Sequence, residues 1–170
     1  SIQSCIALTL ISNAAPATTT ESTTPESVVA DAASPAPSGD CLALGQPSDA
    51  THRTIFEHLN QFRVANGLQP LLYSERLEAA ANAHVRDLYE RGFFAHINPD
   101  GQTPGQRAIA QGFCHEYVGE NIAAGQKSAE SVEIAWENSH SHRENMLEPN
   151  YNFGGVGFFQ PAPSQDDGVD

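Results

Sequence analysis

Histidine and glutamate side chains in three polar clusters are the residues of this chain that could carry out chemistry. The clusters read FFAHINPDG, VGENIAAG and WENSHSHRENML, and they follow one another inside otherwise apolar surroundings. Two imidazoles and one carboxylate can hold zinc with an open coordination position, or act as base and acid in hydrolysis. The residue types alone are weak evidence, because the seven histidines of the chain can be grouped into many such triads.

One member of each cluster stands out by its surroundings. His96 lies in a loop just before a tight turn, a common place for binding residues. Glu120 lies in an uncharged segment, so it needs a metal, a histidine or backbone amides as partner, or else it structures its own loop. His140 and His142 would point in different directions on one helix. Because Ser139 would share a face with His142 on a continuous helix, we expect His142 to point inward and His140 to be solvated.

Helix caps and turn residues indicate the elements that must position these side chains. We predict about four helices around a small antiparallel sheet, an α+β fold. His84 adjoins the apolar stripe of the second helix, where a packed, hydrogen-bonded core role is expected. Only two strands are indicated, and because a lone pair is marginal in water, a strand is missing from the pattern. The helices are expected from Ser48 or Asp49 to about Asn66, from Ser74 to Gly92, from Thr103 to Gly112 and from Ser128 onward, with strands at 116–125 and 152–160.

Charge and size exclude some classes of function. The 170 residues, 39% of them hydrophobic, suffice for one domain of ordinary size plus a tail. The formal net charge is −13 and Lys127 is the only lysine. Nucleic acids and acidic membrane surfaces need clustered cationic side chains, so this charge balance argues against both as partners. A cation is the ligand that this field favours.

The two ends of the chain differ in composition from the domain. Residues 1–17 contain a short apolar run and an A-x-A pattern ending at Ala17, which indicates the remnant of a signal peptide or, alternatively, a hydrophobic stretch of a leader. That run is too short to span a bilayer. Residues 18–40 are rich in Thr, Ser, Ala and Pro and are expected to form a disordered linker before a domain at 41–160 and a loose segment at 161–170. Cleavage after Ala17 would leave Cys41 and Cys114, either as a disulfide or as two buried thiols.

Six motifs together resemble one family. NQFRVANGLQPL, AAANAHVRDL, FFAHINPDGQTPGQRA, GENIAAG, AWENSHSHRENML and NYNFGGVGFF occur in the order and spacing of the bacterial-type CAP (SCP/PR-1-like) domain, over about Ala50 to Phe159. The resemblance implies an α-β-α sandwich, secretion and a central cavity lined by two histidines and two acidic residues in eukaryotic members. It matches His96 to the first histidine, Glu120 to the glutamate of the G-E-N motif and His142 to the second histidine.

The chain departs from the family pattern at two places. Ser139 stands where animal and plant members carry the second acidic residue, and Glu137 lies about 200° away around a helix, so it cannot replace it. Bacterial members also usually continue into an aromatic strand that would pair near Val156. We therefore expect a fragment that lacks its final strand, with an exposed sheet edge.

These features predict a secreted, monomeric protein with a cleft for a divalent cation. Zn²⁺ or another divalent cation would be held weakly by His96, Glu120 and His142, with Ser139 and Asn121 also lining the cleft. A small molecule, a lipid or a cell-wall component is expected as a further ligand, and no defined catalysis is expected. The alternatives are a metal-dependent extracellular hydrolase, in which Glu120 or His142 would act as base on metal-bound water, and a structural domain with a vestigial site.

Overall fold

Five helices and four strands make up the structure, a computed structural model that describes residues 5–12 (side chains from Ile11 onward) and 40–162. The predicted linker up to residue 39 and the segment 163–170 lie outside the described residues. The helices are α1 (Ala50–Ala65), α2 (Glu75–Arg91), α3 (Pro104–Ala110), α4 (Ala129–Glu137) and α5 (His140–Met146), and the strands are β1 (Cys5–Ser12), β2 (Leu72–Tyr73), β3 (Val118–Gln126) and β4 (Phe153–Phe159).

Local capping explains where the helices begin and end. The side chain of Asp49 accepts a hydrogen bond from the backbone N–H of His52 at the start of α1. Ser74 caps α2 in the same way, and Gly92 ends α2 in the left-handed conformation, with φ 66°. The sequence indicated about four helices, and the structure has five because the chain breaks between α4 and α5. Ser139 occupies the N-cap position of α5.

The strands form one mixed sheet in the order β2-β4-β1-β3. Strand β1 is antiparallel to both of its neighbours, whereas the short strand β2 runs parallel to β4. The predicted α+β class is confirmed. The sheet is mixed rather than purely antiparallel, because β2, which is only two residues long, joins it immediately before α2.

Strand β1 occupies the place in the sheet where a missing strand was predicted from the sequence. We expected an open edge beside Val156, but Val156 is paired in register with Thr9 of β1. The same segment belongs to the predicted signal-peptide remnant, which stays a prediction. If the chain were cleaved after Ala17, the cleavage would remove this strand.

Helices cover both faces of the sheet. One apolar cluster lies between the sheet and α1 and α4, and includes Val156 and Trp136. A second cluster lies on the opposite face, against α2 and α3, and includes Phe153 and Ile122. The indole Nε1 of Trp136 donates to the backbone oxygen of Ile122 at 3.3 Å, so α4 also covers the outer edge of β3. This is the α-β-α arrangement that the resemblance implied.

Two long-range connections join parts of the fold that are distant in sequence. The predicted disulfide is present between Cys41 and Cys114, whose Cα atoms are 5.0 Å apart across 73 positions of sequence. Arg63 of α1 is fully buried, and its guanidinium donates hydrogen bonds to four backbone carbonyl oxygens, one at the last residue of α5 and two in the segment after it. In the described part of the chain, no helix is long and apolar enough to cross a membrane.

Candidate functional site

Glu120 of β3 is the centre of a buried network of charged groups. Its side chain is 1% exposed. One carboxylate oxygen, Oε1, lies 2.8 Å from Nδ1 of His96, and the other, Oε2, accepts a hydrogen bond from Nη2 of Arg107 at 3.0 Å. Because both oxygens have a charged or polar partner, the burial of this carboxylate is compensated.

His96 and His84 lie on either side of this carboxylate in different environments. The hydrogen bond to Glu120 raises the pKa of the half-exposed His96 ring above its usual value, although partial burial opposes the shift. His84 is 1% exposed, and burial lowers its pKa. Its Nε2 lies 3.0 Å from the backbone oxygen of Ala95 and so donates to it. The prediction that His84 is a packed, hydrogen-bonded residue is confirmed, and it also lies beside the site, 4.0 Å from Oε1 of Glu120.

Arg107 of α3 is the site residue that sequence reasoning missed. Its Nη2 donates both to Glu120 and, at 2.6 Å, to the backbone oxygen of His96, so one guanidinium fixes the strand and the loop together. Its side chain is 8% exposed. The available signal was a lone arginine beside the buried Ala108 in a short helix, together with the need of Glu120 for a partner.

His142 lies in a second group, on the side of β3 that faces α5. Its Nδ1 is 2.8 Å from the hydroxyl of Ser139, which agrees with the expectation that these two residues share a face, although the helix is broken between them. Asn121 is 1% exposed and donates to the backbone oxygen of His142 at 3.2 Å. Burial, followed by the nearby charge of His96, lowers the pKa of His142. His140 is solvated as expected, with a side chain 87% exposed.

The alternation of β3 separates the residues that were predicted to form one ligand set. Successive residues of a strand point to opposite faces, so Glu120 points toward α2 and α3 and Asn121 points toward α5. In the described ranges, no group of three or more His, Cys, Asp or Glu side chains lies close enough to hold a metal ion. Glu120 does not fit as a metal ligand while Arg107 and His96 occupy its oxygens. Each of the two imidazoles is engaged at Nδ1, so Nε2 is the nitrogen of each ring that could bind a ligand.

One cavity, of about 370 Å³, borders this network and shares His84 and Arg107 with it. The other, of about 940 Å³, is lined by α1, β2 and the segment before α1, including Phe56, Val64 and Leu71. The larger cavity shares no lining residue with the His96 and Glu120 network. A polar site and an apolar cavity are therefore separate features of this protein.

Comparison with known proteins decides the family. The CAP family, described as the cysteine-rich secretory protein family, matches residues 56–166, which contain the network around Glu120 and both imidazoles. The chain belongs to the CAP family. Among relatives of this CAP domain, uncharacterized protein YkwD of Bacillus subtilis is 37% identical over 111 residues, which are 65% of this chain and 43% of YkwD. Uncharacterized membrane protein YlbC of the same organism is 27% identical over 107 residues, 63% of this chain and 31% of YlbC.

Solved structures resemble the same CAP domain. An extracellular protein containing an SCP domain from Bacillus anthracis superposes with a TM-score of 0.61 at 29% identity, covering 63% of this chain and 36% of that protein. An outer surface protein of Borrelia burgdorferi superposes with a TM-score of 0.54 at 24% identity, over 63% of this chain and 89% of that protein, a likeness of fold alone. The CAP chain thus spans less than half the length of YkwD and about a third of YlbC.

Proposed function

We propose that this CAP domain is a secreted binding module that takes up a divalent cation such as Zn²⁺ through Nε2 of His96 and Nε2 of His142. The observation that carries the proposal is the engagement of both rings at Nδ1, by Glu120 and by Ser139. A carboxylate or hydroxyl on one ring nitrogen orients the other toward a metal, which is the usual arrangement around metal-binding histidines. Glu120 then positions His96 and is not itself a ligand.

Weak binding follows from this donor set. Structural zinc sites have four protein ligands and catalytic sites have three, whereas two imidazoles leave the remaining positions to water. The charge of His96 contributes to the lowered pKa of His142, which supports placing the two rings near each other. Secretion is proposed on the family membership and on the extracellular relative from Bacillus anthracis.

Zinc titration calorimetry tests this proposal. His96→Ala and His142→Ala should each reduce zinc affinity at least about tenfold, since one of two ligands is lost. His140→Ala is the matched control, because it removes an exposed histidine two positions away and should leave the heats unchanged. Equal heats in wild type and in all three folded variants would reject the proposal and favour a structural domain with a vestigial site.

The hydrogen-bond network around Glu120 favours binding of a ligand without catalysis. A hydrolase would need Glu120 or His142 as a free base, but Glu120 is held by a guanidinium on one oxygen and an imidazole on the other. A panel of peptide, ester and peptidoglycan substrates with added zinc should show no turnover. Zinc-dependent turnover that disappears in Glu120→Gln would overturn this part of the proposal.

The cavity of about 940 Å³ supports a second candidate function, the binding of an apolar ligand. Its wall includes Phe56 and Leu71, which are largely buried, and Leu72, whose side chain is half-exposed. The fluorescent probe 1-anilinonaphthalene-8-sulfonate should bind there, and Leu72→Glu should weaken that binding at least about fivefold. Ile134→Glu is the control, since Ile134 is similarly exposed and does not line the cavity. Equal weakening in both variants would reject the cavity as the site.

A further inference from the structure

Strand β1 is a central strand that comes from a distant part of the chain. It pairs with β3 in a regular register from Ile6 opposite Ala124 to Ser12 opposite Val118, with an irregularity between Cys5 and Ile6, and it pairs with β4 on its other side. Ile11 is fully buried in the cluster on the α1 face. The hydroxyl of Ser12 donates to the backbone oxygen of Tyr117 at 2.7 Å. The rest of the described fold therefore forms a slot between β3 and β4 that accepts one extended, antiparallel strand.

The connection between this strand and the domain is long. About 27 residues separate Ser12 from Asp40, and a chain of that length can span up to roughly 90 Å. The described domain from Asp40 onward has about 120 residues, and a compact body of that size has a radius of gyration near 14 Å. Connectivity therefore does not require the strand to enter the slot of its own chain. The slot of a second copy offers the same backbone hydrogen-bond partners.

We propose that β1, in a chain that keeps residues 5–12, is an exchangeable strand, and that two copies of this protein associate by inserting the Cys5–Ser12 strand of each into the slot between β3 and β4 of the other. The interface is then the strand pairing already present within one chain, so exchange adds no new contact, as in other domain-swapped dimers. Because the connection is long, the effective concentration of β1 at the slot of its own chain is in the millimolar range or below. Monomer should dominate in dilute solution, and dimer should increase as the protein is concentrated.

Crosslinking between two full-length chains tests the exchange. Ser12 and Val118 are register partners in the regularly paired part of the two strands, and directly opposed residues of antiparallel strands lie close enough for an engineered disulfide. The acceptor chain carries Cys5→Ser with Val118→Cys, and the donor chain carries Cys5→Ser with Ser12→Cys and a different tag. After the two chains are mixed, concentrated and oxidised, we expect a covalent donor–acceptor dimer on a non-reducing gel. The control acceptor carries Cys5→Ser with Glu130→Cys, an exposed position on α4, and should give at least about fivefold less of that dimer.

Each result of this experiment has a defined meaning. A single chain with Cys5→Ser, Ser12→Cys and Val118→Cys should close an internal disulfide when dilute, which shows that the register is correct. If that internal disulfide forms but the two-chain mixture gives no more dimer than the control, the strand stays in its own chain and the proposal is wrong. If neither disulfide forms, β1 is not paired with β3 and the proposal is also wrong. Light scattering of the wild type over a hundredfold range of concentration gives an independent check.

Discussion

Glu133 of α4 provides the sharpest test of how the helical layers pack. The residue is 1% exposed, and neither carboxyl oxygen has a hydrogen-bond partner among the described residues. Burial, with a smaller contribution from Glu137, raises the pKa of Glu133 from 4.5 to about 8. The protonated, neutral form is therefore favoured in the folded protein at neutral pH.

The sign and the size of the effect follow from proton linkage. Because the pKa of Glu133 is higher in the folded state, this carboxyl group does not destabilise the protein below about pH 4.5. Its destabilising effect on the folded state grows as the pH rises from there toward about 8. The cost is about 3 kcal/mol at pH 7 and about 1 kcal/mol at pH 5, from 1.4 kcal/mol per pH unit. Glu133→Gln cannot ionise and leaves a similar unpaired polar group. It should stabilise the protein by about 2 kcal/mol more at pH 7 than at pH 5.

Urea unfolding of wild type and Glu133→Gln at pH 5, 6, 7 and 8 measures this difference. Glu130→Gln is the matched control, because Glu130 lies on the same helix and is exposed to solvent. Its free energy of unfolding should differ from that of wild type by less than about 0.5 kcal/mol, without a pH trend. If Glu133→Gln raises the free energy of unfolding by the same amount at all four pH values, the carboxyl of Glu133 is solvated or paired. The description of α4 as burying this group would then be wrong.

Three further predictions concern other parts of the structure. Arg63→Lys should lower the free energy of unfolding by about 2–4 kcal/mol in urea, because an ammonium cannot reach the four carbonyl oxygens that the guanidinium holds. A loss below about 1 kcal/mol would contradict this. Replacing Cys41 and Cys114 by serine should cost about 4 kcal/mol through the entropy of the released loop, measured as a lower Tm. In an NMR titration the pKa of His96 should lie above 6.5 and fall in Glu120→Gln, so the stability gained from this pair is complete below about pH 6.5 and lost above the raised pKa.

Helix positions could be predicted from the sequence because their signals are local. The caps at Asp49 and Ser74, and the end of the second helix at Gly92, depend on residues within one turn, and the structure places all three as expected. Strand β1 could not be predicted in the same way. Its partners lie more than 100 residues away, and an apolar run followed by an A-x-A pattern is also what an export leader looks like.

The residues of the candidate site could be predicted from the sequence, but the hydrogen bonds between them could not. His96, Glu120 and His142 were found by motif, and His142 was placed next to Ser139 by spacing. The pairing of Glu120 with Arg107 joins a strand and a helix, and such contacts between elements leave no periodic signal in the sequence. From that pairing we infer that Glu120 orients His96 rather than binding a metal itself.

The central claim, that both imidazoles offer Nε2 to a cation while Glu120 only supports His96, can be measured directly at the ring nitrogens. Long-range ¹H–¹⁵N NMR spectra of the histidine rings, recorded with and without zinc, distinguish a metal-bound nitrogen from a protonated one. We predict that zinc shifts Nε2 of His96 and His142 and leaves Nδ1 of both rings protonated, with His140 unchanged. Zinc-induced shifts at Nδ1 of His96, or spectra that zinc leaves unaltered, would contradict the account.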